Sequence, residues 1–174
     1  MSNSPNVDIA VLIGRFQPFH RGHAELLKMA LDVAPRVVVV LGSSFHARSP
    51  KNPFTAQERA TMIAGILSAD EKARVSFVAV RDYYEDGRWA NAVRREVGKQ
   101  IPGASRVALI GYFKNASSYY LNHFPRWELV TCSEAFDIDS TRIRRILFEA
   151  EDLDVSLEVI DGLVPTAVRQ YLKA

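Results

Sequence analysis

The segment VDIAVLIGRFQPFHRGH, residues 7–23, joins two stretches of opposite character. Val7–Gly14 is apolar apart from Asp8 and reads as a buried strand. Residues 14–23 then hold two histidines three apart, two arginines, two phenylalanines, a proline and two glycines. Beyond them His23–Ala34 carries Leu26, Leu27, Ala30 and Leu31 at helical spacing. Arg36–Gly42 contains VVVVL, an unbroken β-branched run of the kind a parallel strand shows when both its faces are covered. Strand, special loop, helix, strand is a βαβ unit, and it fixes the class as α/β.

The rest of the chain repeats the alternation. Thr55 opens a second helix with Glu58 three residues on, a capping-box pattern, and Met62, Ile63, Ile66 and Leu67 form its apolar face. Val75–Val80 reads as a third strand and Trp89–Ile101 as a third helix. Ser105–Gly111 is a fourth strand, Ser117–Phe124 a short helix ended by Pro125, and Trp127–Cys132 a fifth strand. Ser140–Glu149 is a helix capped by Asp139 or Ser140, with Ile143, Ile146 and Leu147 turned inward. Pro165–Leu172 begins with proline at the first helical position. The expected architecture is a doubly wound, Rossmann-like parallel sheet of about five strands with helices on both faces. In such sheets ligands bind beyond the carboxyl ends of the strands, so the informative loops follow Gly14, Gly42, Arg81, Gly111 and Cys132.

Composition bounds the partners. The chain has 174 residues, 48% hydrophobic and 24% charged, as expected for one globular domain with a sizeable core. A net charge of +2 gives no reason to expect nucleic acid, although clustered cations suit a phosphorylated small molecule. No apolar run reaches the roughly 20 residues of a membrane helix, and Met1–Asn6 shows no signal-peptide pattern. Cys132 is the single cysteine, so a reducing cytoplasm is the simplest reading. Oligomeric state, homo-oligomer included, is left open.

In the first loop Gly14 gives the backbone freedom to approach a ligand, and Gly22 lies where the helix begins. A helix N-terminus offers unpaired N–H groups and partial positive charge, which suits phosphate. His20 and His23 can point to one side there and donate N–H bonds to phosphoryl oxygens, and Arg15 adds a fixed charge. The alternative is that one histidine caps the helix while the other packs.

Gly14–His23 resembles the signature loop of the HxGH nucleotidyltransferases, and GRFQPFHRGH as a whole is similar to the nicotinamide-mononucleotide adenylyltransferases, of archaeal type and of the bacterial kind fused to a Nudix hydrolase domain. NPFTAQER, residues 52–59, and GYFKNASSYYLNHFPRWELV, residues 111–130, resemble further segments of that family, with Asn115 standing where the Nudix-fused branch usually has Asp. DSTRIRR, residues 139–145, resembles its S-T-x-x-R motif, carried by Ser140, Thr141 and Arg144. The likeness spans about residues 7–150, so residues 1–174 are expected to hold one nucleotidyltransferase domain with a C-terminal helical segment over about residues 154–174 and no Nudix domain.

The resemblance implies an enzyme that joins ATP and nicotinamide mononucleotide into NAD and pyrophosphate, with Mg²⁺ carried in on ATP rather than held by a carboxylate cluster. His20, His23, Arg15 and Arg144 are the expected catalytic residues. Gly14, Phe16, Gly22, Gly111, Lys114, Ser140 and Thr141 are expected around ATP. Arg48 and Lys51 would hold the acceptor's phosphate, and Trp89 would stack on its pyridinium ring. Each has a plainer alternative: a Ser/Thr helix cap with a solvated basic face, a mobile surface loop, and a core tryptophan anchoring the third helix. Other acceptors stay open, phosphopantetheine or nicotinate mononucleotide among them, as do CTP as donor and a non-catalytic nucleotide sensor.

Overall fold

A computed structural model describes residues 7–103, 106–112, 122–133 and 136–174. Strands β1 (Ile9–Gly14), β2 (Arg36–Leu41), β3 (Val75–Ala79), β4 (Val107–Gly111) and β5 (Glu128–Thr131) form one sheet in the order β3-β2-β1-β4-β5. Every pairing is parallel, with Ile9 opposite both Arg36 and Val107. The chain winds outward from β1 to β3, then returns to lay β4 and β5 on the other side of β1. The reversal leaves a crevice between the carboxyl ends of β1 and β4, where sheets of this kind take ligands.

The period of two along each strand sorts the core into two layers. Ala10, Leu12, Val37, Val39, Leu41, Ala108 and Ile110 face helices α1 (Arg21–Val33), α2 (Ala56–Ala64), α5 (Ser140–Glu149), α6 (Leu153–Val159) and α7 (Thr166–Lys173). Ile9, Val11, Val38, Val40, Val78 and Leu109 face α4 (Asp86–Gln100) and Phe124. Consecutive valines of β2 are thus buried on opposite sides, which is why the run has no polar member. Each such side chain stabilises the fold by roughly 1.5–3 kcal/mol through burial.

Strand and helix expectations hold with small shifts. Thr55 caps α2 through the expected reciprocal bonds with Glu58, and Asp139 rather than Ser140 caps α5. Helix α4 starts at Asp86, before Trp89, and Pro165 sits at the cap of α7, one place before the first helical residue. One helix was not expected, and the helical segment expected from about residue 154 is divided into two helices. Helix α3 (Ala69–Arg74) has a Ser68–Glu71 capping box but no buried residue, so no apolar stripe marks it. Helix α6 is short, and with α7 it folds back over the first core layer, burying Leu157, Ile160, Val164 and Val168. Leu163 O there accepts from Arg21 N at 2.9 Å, so the C-terminal segment braces the start of α1. Residues 104–105 and 113–121 lie outside the described residues. With them go Lys114, Asn115, the start of the expected fourth strand and most of the helix expected over residues 117–124. Among the described residues no helix is long and apolar enough to cross a membrane.

Candidate active site

The polar loop behind β1 is folded inward. Phe16 and Phe19 are buried, and Phe16 reaches this position with a φ of 52°, a left-handed conformation that costs a phenylalanine about 1–3 kcal/mol. Its ring lies over Gly14, where an added Cβ would come within 2.7 Å of it. Gly14 is therefore required by packing against Phe16, and the Phe16 side chain faces the core.

His20 is the N-cap of α1. Its Nδ1 accepts from His23 N at 3.4 Å, while His23 Nδ1 accepts from His20 N at 3.3 Å. This is a capping box made of two imidazoles. The rings stack with centroids 3.6 Å apart and planes 19° apart, and an added Cβ on Gly22 would come within 3.1 Å of the His20 ring. Burial holds the His20 pKa down at about 4 against the opposing pull of Asp139. Burial also holds His23 well below the ordinary value, and His20 beside it adds to the depression. Both rings are neutral at pH 7. With each Nδ1 accepting a backbone N–H, the ring proton is assigned to Nε2. The pair therefore presents two N–H donors from one stack without the repulsion two imidazolium ions would bring.

Helix α5 docks its first turn onto the same loop. Ser140 Oγ donates to Pro18 O at 3.0 Å. Arg144 is buried, and it donates from Nη1 to Gln17 O at 2.7 Å and from Nη2 to Thr141 Oγ1 at 3.2 Å. Burial lowers the Arg144 pKa, and the nearby Arg15 lowers it further. Two cations thus lie close together beside two neutral N–H donors, and Asp139 is the acidic group that acts on both His20 and Arg144. Such a surface attracts a polyanion. The halves placed 120 residues apart in the sequence meet as expected: Arg15, His20, His23, Ser140, Thr141 and Arg144 gather, and Gly111 ends β4 beside β1.

The loop behind β2 is built differently. Ser43 and Phe45 have φ of 47° and 64°, and Phe45 is 72% exposed beneath the Arg81 guanidinium, 5.7 Å from its ring. Ser43 Oγ donates to Asp82 Oδ1, and His46 Nε2 lies 3.3 Å from Asp82 Oδ2. Arg48 is engaged: it grips Glu58 with both terminal nitrogens, at 2.7 and 2.9 Å, and Pro53 O at 2.9 Å. Lys51 is exposed. Between this loop and the start of α2 lies a cavity of about 250 Å³, and the Asn52 Oδ1 in its lining is buried without a hydrogen-bond partner among the described residues. Trp89 is half-buried and packs edge-on against Phe124, with ring centroids 5.8 Å apart. The hydrogen bonds described for Arg48 go to Glu58 and Pro53 and none of them to the histidine pair.

Two structural residues escaped the sequence reading. Gln17 is buried and pairs with both backbone groups of Phe54, donating to its O at 2.9 Å and accepting from its N at 3.0 Å. Arg59 is 1% exposed and donates to Arg15 O, Gly42 O, Ser44 Oγ and Thr55 O. Arg59 had a legible signal. It falls on the same face of α2 as Met62 and Ile63, and a charged residue in an apolar stripe calls for an explanation. Gln17 lies in an aperiodic loop and had none.

Comparison with known proteins agrees with the fold. The family model described as cytidylyltransferase-like matches residues 11–146. A nicotinamide/nicotinic acid mononucleotide adenylyltransferase of Acinetobacter baylyi is 38% identical over 95% of this chain and 85% of its own length. A nicotinamide-nucleotide adenylyltransferase of Saccharolobus solfataricus is 28% identical over 91% of this chain and 86% of its own. A bifunctional adenylyltransferase/ADP-ribose pyrophosphatase of Francisella tularensis, crystallised with AMP and a manganese ion, superposes with a TM-score of 0.74 at 26% identity. That match takes in 96% of this chain and 52% of the bifunctional one, so the chain spans about half of that relative.

Proposed function

The chain belongs to the cytidylyltransferase-like family, and within it we propose that the protein is a nucleotidyltransferase that transfers the adenylyl group of ATP to nicotinamide mononucleotide, giving NAD and pyrophosphate. The observation that carries the reading is the stacked histidine pair with both Nδ1 atoms occupied by backbone N–H groups. Two Nε2–H donors, set beside Arg15 and Arg144 at a helix start, suit the α- and β-phosphates of a nucleoside triphosphate.

The acceptor's phosphate oxygen attacks the α-phosphorus in line. A bond from that oxygen to phosphorus forms, the bond to the bridging oxygen breaks, and its electron pair leaves with pyrophosphate. A phosphate monoester with a second pKa near 6 is already dianionic at pH 7, so the step needs no general base. The neutral histidines fit this, since burial disfavours their taking up a second ring proton and each keeps its Nε2–H as a donor. They stabilise charge building on the α-phosphoryl oxygens, and Arg144 with Arg15 stabilises the departing pyrophosphate. Mg²⁺ enters as part of the ATP substrate, ligated by phosphates and water. On the other side of the cleft, Lys51 takes the acceptor's phosphate, Asn52 Oδ1 accepts from one of its hydroxyl or amide groups, and Trp89 stacks on its ring.

Nicotinate mononucleotide is a second acceptor to consider, because the Acinetobacter relative is named for both. A pyrophosphate-release assay with ATP against nicotinamide mononucleotide, nicotinate mononucleotide and phosphopantetheine decides among them. NAD formed from the first supports the reading. Turnover with phosphopantetheine alone, or with none of the three, sinks it.

A further inference from the structure

The buried Arg59 guanidinium belongs to the lining of the cavity behind β2, and its hydrogen bonds follow a pattern. Among the described residues three non-glycine positions have positive φ, namely Phe16, Ser43 and Phe45. All three lie in the loops behind β1 and β2. Arg59 Nη1 donates to Arg15 O at 2.6 Å and to Gly42 O at 2.7 Å, and Nη2 donates to Ser44 Oγ at 3.0 Å. Each acceptor belongs to the residue directly before one of the three: Arg15 before Phe16, Gly42 before Ser43, Ser44 before Phe45. The third nitrogen, Nε, bonds Thr55 O at 3.2 Å and ties the fork to the cap of its own helix. Left-handed backbone in ordinary residues persists where surrounding structure over-determines it, and it gathers where function needs a fixed shape.

Resting on the adenylyltransferase reading above, we propose that Arg59 is a positioning residue that locks the phosphate loop behind β1 and the acceptor loop behind β2 into one reacting geometry. The fork is suited to this because its donors are coplanar and fixed in relative direction, so two loops that meet it are fixed relative to each other. Among the described residues no carboxylate hydrogen-bonds to it. The acceptors are backbone carbonyls and a hydroxyl, and Asp82 acts on it only at a distance. An ion pair would serve stability equally well anywhere in the fold, whereas carbonyls of two separate loops specify a shape. Each loop carries one partner of the reaction: Arg15 and the histidines follow the first Arg59 contact, and Ser43–Asn52 follows the second. Misplacing reacting groups by about 1 Å costs on the order of 10²-fold in rate, so the fork acts on the chemical step rather than on either binding step alone.

The test compares wild type, Arg59→Lys and Arg59→Ala by steady-state kinetics with ATP and nicotinamide mononucleotide, alongside circular dichroism and thermal melting. Wild-type NAD formation in the same assay is the control that judges the functional reading separately. Arg59→Lys keeps the charge and loses the fork. It is expected to fold and to lose about 10²-fold in kcat, with each KM changed by less than about 3-fold. Arg59→Ala leaves a guanidinium-shaped hole, and millimolar guanidinium chloride is expected to restore part of kcat where equal sodium chloride does not. Three outcomes overturn the proposal: Arg59→Lys with near-wild-type kcat, losses that track the fraction of unfolded protein, or no rescue of folded Arg59→Ala by guanidinium.

Discussion

The loops behind β1 and β2 leave adjacent strands at the same edge of the sheet, yet they are built in opposite ways. In the first, Phe16, Gln17, Phe19 and His20 are all buried, and side chains from α2 and α5 grip its carbonyls. In the second, Phe45 stands in solvent, and Arg48 is 59% exposed in its ion pair with Glu58. Under the proposed function the first loop meets the invariable part of the reaction, a triphosphate, and the second meets the acceptor, the part that differs between related enzymes. On that reading rigidity sits where charge develops in the transition state, and openness where a substrate must enter and be told apart.

The comparison breaks most sharply at His23. Replacement by alanine is expected to lower kcat by about 10²- to 10³-fold, as when one oxyanion donor is removed, while the protein still folds. Kinetics at saturating substrates check it, and near-wild-type kcat would reassign the pair to capping alone. Acid offers the next largest effect. Both histidines are held below their ordinary value, His20 at about 4, first by burial. Between pH 6.5 and 4 the unfolded chain binds protons that the folded chain refuses. Stability is therefore complete above pH 6.5 and falls as the pH drops toward 4, by about 1–3 kcal/mol for His20. Denaturation at several pH values should show a shallower slope for His20→Gln than for wild type; parallel slopes would refute this.

The open side is expected to respond more gently. Trp89→Ala should raise the KM for nicotinamide mononucleotide about 3- to 30-fold and leave that for ATP nearly unchanged, from a cation–π attraction of roughly 0.5–2 kcal/mol. If both KM values rise together, or the variant unfolds, the contact with Phe124 is its whole role. Arg48→Ala should have the smallest effect, about 3-fold or less on the acceptor KM, because its guanidinium is already engaged and lies in screened solvent. A rise beyond about 10-fold would show that the ion pair opens onto the acceptor.

The same contrast governs what the sequence could tell. Strands such as VVVVL and the capped helix at Thr55 are local signals, and they were legible because period and cap chemistry are written in neighbouring residues. The histidine pair was legible for the same reason. Its two readings, helix cap and phosphate donor, proved compatible, since Nδ1 serves the first and leaves Nε2 for the second. Joining loop to α5 needed contacts 122 residues apart, such as Ser140 with Pro18, which resemblance suggested and spacing could not. The Arg48–Glu58 pair and the Gln17–Phe54 brace are tertiary facts that no periodicity marks, and for Arg59 the apolar face of α2 signals that the charge needs partners without saying which carbonyls supply them. Helix α3 was missed because ADEKAR buries nothing.

The imidazole capping box places folding and, under the proposed function, chemistry on the same two side chains. Histidine is a mediocre N-cap, whereas Asp, Asn or Ser at that position satisfies the first-turn N–H groups better. A search that rewards heat resistance alone would therefore drift toward His20→Asp or His20→Ser and collect tougher proteins without the paired donor. The cradle is thus a place where improvement of the scaffold and retention of the trade it plies pull in opposite directions.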